Sequence, residues 1–212
     1  MYAFLSKLLI SGKLKFDQGK ILAFDEPFTL VPMVSIKEMT NDAINGGIKE
    51  ISDLYYYGWV YGYTVTKELI KLFVLKKFEE RYKISMDVAS MVGFGDYTTL
   101  SFKRGEHAKF QIHKNPFAMQ YYQSKQKIMC CHYLRGMEAG GGTLVHETLM
   151  NNIEFECTAI NGQNCIHANL NEDKWKQVPS ELLDSQLDIE YLRKRQKEFV
   201  ISMGDDPANL YF

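Results

Sequence analysis

All four cysteines of this chain fall in its second half, at Cys130, Cys131, Cys157 and Cys165. A thiol can act as a nucleophile, a redox partner or a soft metal ligand, and its neighbours decide which. The opening stretch Met1–Ile10 carries Lys7 inside a short apolar run and has no small-residue cleavage site. It therefore reads as a packed first helix or strand and not as a secretory leader. The expected setting is cytoplasmic, where thiols stay reduced and a metal site competes well with a disulfide. Spacing sharpens this for one pair. Asn152–Ala159 and Gln163–Leu170 read as a hairpin closed by Ile160-Asn161-Gly162, with Gly162 in the left-handed position of a bulge. That register sets Cys157 opposite Cys165 on one face. A two-residue Asn161-Gly162 turn would put the two sulfurs on opposite faces. Residue types alone leave the pair open as a metal clamp, a disulfide under oxidation, or two buried apolar side chains.

Catalytic patterns are missing. There is no G-x-S-x-G, no His-Glu-x-x-His, no phosphate-binding glycine loop and no dinucleotide fingerprint, so no activity is assigned. Glu106-His107 reads as a solvated pair in a turn. The aromatic residues offer a different chemistry: 13 Tyr, 13 Phe and 2 Trp could line a pocket or fill a core. Phe110, Phe117, Tyr121 and Tyr122 are candidate linings for a hydrophobic ligand, with core packing the rival account of each.

Several elements must position these groups. Residues 13–34 read as extended: Lys13–Phe16, a turn at Asp17-Gln18-Gly19, then Lys20–Phe24 and Phe28–Val34. A short helix follows from Ser35, with Glu38 completing a capping box. After Gly46-Gly47, a long helix is expected from about Lys49 to Arg81, because Ile51, Tyr55, Gly58, Gly62, Val65, Leu69 and Leu72 recur at spacings of three and four. Two glycines on that face cost roughly 1 kcal/mol each relative to alanine, so the Gly-x-x-x-Gly notch implies close approach of another backbone or of a flat ligand. Residues 85–94 form a further short helix. Tyr97–Lys103 and His107–His113 alternate as a hairpin. Pro116 opens a helix towards Ala139, with Cys130 and Cys131 inside it and Gly140–Gly142 ending it. The polar segment Asn171–Ser180 leads to a last helix over 182–202, with Leu183, Leu187, Tyr191, Leu192 and Phe199 to one side. Strands and helices do not alternate regularly. The expected fold is therefore α+β, an antiparallel β-sheet packed against long helices.

The 212-residue length fits one domain with appendages. Lys plus Arg (25) nearly balances Asp plus Glu (26). That balance gives no broad field for direct contact with nucleic acid, and no apolar run is long enough for a membrane span. Ala208–Phe212 reads equally as a protease-recognition remnant with Ala in place of Glu or as native sequence, and carries no functional expectation either way.

The stretch Cys131-His-Tyr-Leu-Arg-Gly136-Met-Glu-Ala-Gly140, followed by Glu154-Phe-Glu-Cys157 and Gly162-Gln-Asn-Cys165, resembles the C-terminal half of the 4-vinyl reductase domain family. That family includes the effector-sensing domains of bacterial regulators responsive to phenols and other aromatic hydrocarbons. Its pattern is a helix with Gly-x-x-x-Gly, then Glu-x-x-Cys, then a gap containing Gly, then Cys. The zinc-bearing members carry a further cysteine before the helix glycines. Upstream, Gly58-x-x-x-Gly62 is similar to the family's first long helix and His113-Lys-Asn-Pro116 to its strand-to-helix corner. The likeness covers roughly residues 48–170. It implies one structural zinc held by Cys131, Glu154, Cys157 and Cys165, a closed four-coordinate shell that pins the C-terminal hairpin. His132 and His167 are substitutes for the fourth ligand. Strict strand alternation puts Glu154 on the wrong face for this, so a bulge, or a strand that starts later, is needed to bring the carboxylate round.

The wider superfamily, by the same resemblance, takes in TRAPP tethering subunits and haem nitric oxide sensors, which share a pocket for a small hydrophobic ligand. The implied function is a zinc-containing sensor or carrier domain for an aromatic or lipid-like molecule, without its own output domain. The rival is a dimeric adaptor with no ligand. The implied organisation is an N-terminal arm over 1–47 serving a homodimer, a ligand-binding domain over 48–170, and a linker with a C-terminal helix over 171–212. Output would pass through a separate regulatory partner.

Overall fold

Two long helices packed backbone to backbone form the centre of the molecule. In this computed structural model, which describes residues 6, 8–17, 19–23 and 26–210, they are α2 (Ile48–Phe73) and α5 (His132–His146). The glycines of both notches face each other. A Cβ added at Gly58 or Gly62 would meet the carbonyl oxygens of Tyr133 and Met137 at 2.0 and 1.9 Å. One added at Gly136 or Gly140 would meet those of Tyr55 and Trp59 at 1.8 and 2.0 Å. The notches therefore receive backbone and leave no room for a flat ligand.

The main sheet is antiparallel, in the order β4 (Asp96–Lys103), β5 (His107–His113), β7 (Cys165–Leu170), β6 (Asn151–Glu156). Alternation along β5 turns Ala108, Phe110 and Ile112 inward. A second, three-stranded sheet of β1 (Leu14–Asp17), β2 (Lys20–Ala23) and β3 (Glu26–Phe28) precedes α1 (Met33–Gly46). The expected α+β architecture is the one observed. The reading of Met1–Ile10 falls largely outside the described residues, as do Phe24, Tyr211 and Phe212.

Several expected elements differ. The helix from Ser35 begins instead at Met33 after Pro32, with no side-chain cap. The continuous helix to Arg81 breaks at Val74, which adopts left-handed φ 53°, and α3 (Phe78–Met91) starts afresh and absorbs most of the short helix expected at 85–94. The helix from Pro116 ends at Gln123 (α4), and Cys130 and Cys131 sit before α5 and not inside a helix. Gly140–Gly142 do not stop α5. Gly140 lies against the Trp59 carbonyl, Gly141 against Thr66 and Gly142 against the Asn169 side chain. Close packing overrides the poor helix propensity there. After a single turn α6 (Thr158–Asn161), α7 (Glu172–Trp175) and α8 (Ser180–Asp184), the last helix is shorter than expected, α9 (Ile189–Ser202). On its inward side Leu192 and Val200 are buried in the same cluster as Tyr55 and Trp59. That apolar surface is used within the chain and is not free for a second copy. Leu210 is buried too, and its carbonyl accepts from Leu149 N at 2.8 Å, so this end of the chain is packed into the fold.

Candidate metal centre and cavity

Cys131, Glu154, Cys157 and Cys165 converge at the sheet end nearest the start of α5. Their ligand atoms all lie within 4.8 Å of one another, and all four residues are buried. Each arrives by a different device. Cys131 is the N-cap residue of α5, where the helix dipole favours a thiolate. Cys165 opens β7. Cys157 stands just past β6, before α6, which replaces the three-residue hairpin loop expected from sequence. Gly162 does take the left-handed conformation, φ 73°. The register shifts between Glu154 and Glu156, opposite His167 and Ile166. This bulge at Phe155 turns Glu154 to the same side as Cys157, as a shared site requires.

The donor set fits a metal ion. The Cys131 and Cys165 sulfurs are 3.8 Å apart, which is too long for a disulfide. It equals the edge of a tetrahedron with metal–sulfur bonds of about 2.3 Å, about 3.8 Å. Glu154 is completely buried, yet neither carboxylate oxygen accepts a hydrogen bond among the described residues. An unpaired buried carboxylate is costly, and a cation offsets that cost. Burial also pushes the Cys131 thiol well up, so a nearby positive charge is needed to ionise it.

A second layer aims at the sulfurs. Asn115 caps α4 by accepting from Phe117 N and Ala118 N, and its Nδ2 donates to Cys131 Sγ and Cys165 Sγ, both at 3.2 Å. Thr158 N donates to Cys165 Sγ at 3.3 Å. Asn115 did not emerge from sequence reasoning as a site residue. Its signal was the Asn-Pro helix start at the strand-to-helix corner. Cys130 lies outside the four, with its sulfur 3.9 Å from Cys157 Sγ. Of the two histidines considered as substitutes, His132 is engaged elsewhere and His167 borders the site beside Glu154. His132 Nδ1 meets Arg135 at 2.7 Å, and burial followed by the Arg135 charge holds its pKa down to about 3. His167 Nδ1 meets Glu138 Oε2 at 2.7 Å, and its Nε2 stands 3.4 Å from Glu154 Oε1. Burial opposes charge on His167, but Glu138, Cys165 and Glu154 together outweigh it and raise the pKa above normal. Burial also raises Glu138, against the pull of His167.

A cavity of about 60 Å³ lies between α2, α3, α5 and the sheet. Its lining is mostly apolar, including Val65, Leu69, Met86 and Met137, with Glu138 and His146 among its few polar groups. None of the four rings expected to line a pocket borders it. Phe110 is fully buried between the rings of Tyr97 and His167. Phe117 packs against Phe94 and Tyr133. Tyr121 is buried, with its hydroxyl 2.8 Å from Asn41 Oδ1. Tyr122 is 48% exposed and covers Gly162. These rings fill core or coat the hairpin corner, while the cavity forms deeper between the helices.

No protein-family model matches the sequence, and no curated protein matches it. Among solved structures, the chain is similar to the phenol-responsive sensory domain of the transcription activator PoxR, determined with phenol. The TM-score is 0.72 at 16% identity, covering 89% of this chain and 98% of that one. It is also similar to a trafficking protein particle complex subunit 3 from Naegleria fowleri covalently bound to palmitic acid. There the TM-score is 0.50 at 13% identity, covering 66% of this chain and 93% of that one. At these identities the likeness shows the fold. The 4-vinyl reductase label rests on the motifs alone. Among the described residues, no helix is long and apolar enough to cross a membrane.

Proposed function

We propose that this chain is a small-molecule-binding domain, a sensor or carrier, which holds a hydrophobic ligand in the cavity between α2, α3, α5 and the sheet. The observation that carries this reading is the cavity itself, apolar with a few convergent polar groups, as ligand sites typically are. Two proteins of the same fold hold small ligands, phenol in one and palmitic acid in the other, which supports the reading by analogy. A structural zinc at Cys131, Glu154, Cys157 and Cys165 ties the β6–β7 hairpin to the start of α5, the helix that forms one cavity wall. With all four positions taken by protein, the ion supplies rigidity and no open coordination site.

In this reading residues 48–170 hold ligand and metal, and the arm over 1–47 serves a homodimer. Phe16, Leu30 and Val34 in that arm are exposed apolar side chains, Leu30 at 85%. Light scattering that gives a monomer of 24.5 kDa at micromolar concentration would refute the dimer.

The ligand claim is tested by thermal shift with small aromatic and aliphatic probes. Mass action gives about 2.7 kcal/mol of stabilisation at a probe concentration of 100 times Kd. Ala89 lines the cavity from α3. Ala89→Met should abolish the shift while leaving metal content intact. No shift with any probe would leave the adaptor reading, which the exposed apolar arm favours.

A further inference from the structure

Arg135 lies in the first turn of α5, is completely buried, and is the only buried lysine or arginine among the described residues. Its guanidinium meets neutral acceptors. Nη1 donates to Asn152 O at 2.9 Å, and Nη2 donates to Gln186 O at 3.3 Å and to His132 Nδ1 at 2.7 Å. His132 is uncharged near pH 7, because burial and then Arg135 itself hold its pKa down to about 3. Arg135 Nε finds no acceptor among the described residues. The Tyr55 ring centre lies 5.4 Å from the guanidinium carbon, a modest attraction. These bonds leave the charge itself without a direct anionic partner, and a buried unpaired cation is costly.

A structural role explains the hydrogen bonds but not the charge. β6 is an edge strand, and its outer N–H and carbonyl groups need partners. Arg135 serves Asn152 O there. Gln186 serves Glu154, accepting from its N at 2.9 Å and donating to its O at 2.8 Å. A neutral amide does this work, as Gln186 shows, without taking a charge out of water.

The charge points to the metal centre. Arg135 N donates to Cys131 O at 2.8 Å, so the two residues stand one helical turn apart, and helical side chains lean towards the preceding turn. The guanidinium grips β6 two residues before Glu154 and also holds Gln186, whose amide brackets Glu154. Burial lowers the Arg135 pKa, and Glu154 is the foremost of the charges that oppose this. A dication held by the three thiolates and one carboxylate of the cluster still leaves two negative charges in a buried shell. His167 does not remove them, since it stands between Glu154 and a second carboxylate, Glu138.

Resting on the metal reading above, we infer that Arg135 is the buried counter-charge of the metal centre, which favours the shell in its metal-bound, anionic form. Zinc affinity, measured by chelator competition on the full chain, tests this. Arg135→Gln keeps an amide donor but no charge, and should weaken zinc about 10–100-fold, as loss of other outer partners of metal ligands does. Arg135→Lys keeps the charge and should restore most of the affinity. In a Glu154→Gln background the shell carries one charge fewer, so the penalty for losing Arg135 should shrink. If Arg135→Gln fails to fold, Arg135→Met, which fills the space without polar atoms, takes its place. A merely structural role would lower metal-free and metal-bound stability alike and leave zinc affinity unchanged, which overturns the inference. Equal weakening in the neutral variant and in Arg135→Lys also overturns it, because shape would then be the cause. So does an undiminished penalty in the Glu154→Gln background. Each of these results leaves the metal reading standing, whereas a wild-type chain that binds no zinc overturns both.

Discussion

Replacing Gly136 by alanine should destabilise this protein although alanine is the better helix former. In an isolated helix the exchange is favourable by about 1 kcal/mol. Here the new Cβ would sit 1.8 Å from the Tyr55 carbonyl oxygen and 2.9 Å from Trp59 N. Both obstacles are helix backbone, so rotating a side chain cannot relieve the clash. To bring that contact from 1.8 Å to the 3.0 Å below which Cβ contacts essentially never occur, α2 and α5 must separate by over an ångström. A gap of that size forfeits a quarter to a half or more of each dispersion contact along the seam, where Tyr55, Trp59, Tyr63 and Ala139 are fully buried. Overpacking that side chains can absorb costs about 1–3 kcal/mol. Against rigid backbone the net loss should reach about 3 kcal/mol even after the propensity gain. In a chain of this size that lowers Tm by about 6–12 °C. Urea unfolding followed by circular dichroism, with zinc present, should show a lower midpoint at unchanged slope. Gly141→Ala is the comparison, because its nearest obstacle is Thr66 Oγ1 at 2.8 Å, a side-chain atom that can turn away. It should cost about 1 kcal/mol or less. A neutral or stabilising Gly136→Ala would refute backbone-to-backbone packing of the two helices.

Other perturbations separate the metal site from its surroundings. Cys157→Ser should reduce bound zinc and destabilise the fold by several kcal/mol, since structural metal binding is folding energy; Cys130→Ser should retain the metal, as atomic absorption on the two purified variants would show. Asn115→Ala removes two donors to sulfur and a helix cap together, so zinc affinity by chelator competition should fall about 10–100-fold and stability by about 1 kcal/mol. Stability should also fall on acidification. Burial depresses the His146 pKa to about 4 from an unfolded value of 6.5, so the unfolded chain binds the extra proton between those values and the loss amounts to roughly 3 kcal/mol. Unfolding midpoints measured from pH 7 to pH 4 should show at least this slope, and His146→Phe should lessen it, the remainder coming from His132, whose pKa is held down to about 3.

The sheet was the most readable part of the fold. The β4–β5 hairpin lies within one residue of the span that alternation and the Arg104-Gly105-Glu106 turn indicate. With Glu154 taken as a ligand, period two called for a bulge or a later strand start, and the structure has a bulge at Phe155. Helix ends were less legible, because distant packing sets them. Nothing local marks the break at Val74, a β-branched residue in a left-handed conformation. The glycine triplet that normally ends a helix is carried through α5 by contacts with Trp59, Thr66 and Asn169. The lining of the cavity was not legible for a related reason. Ring content says that apolar volume exists, but not which rings fill space and which border it. The lone buried charge of Arg135 has no sequence signature, since it depends on which acceptors β6 and Gln186 present.

The account rests most heavily on one zinc ion in a closed, buried shell. Native mass spectrometry of the chain, purified without added metal and compared with the acid-denatured chain, measures this directly. The expected result is one zinc per chain in the native spectrum, lost on denaturation and absent from native Cys157→Ser. A wild-type chain that is folded and metal-free would contradict it.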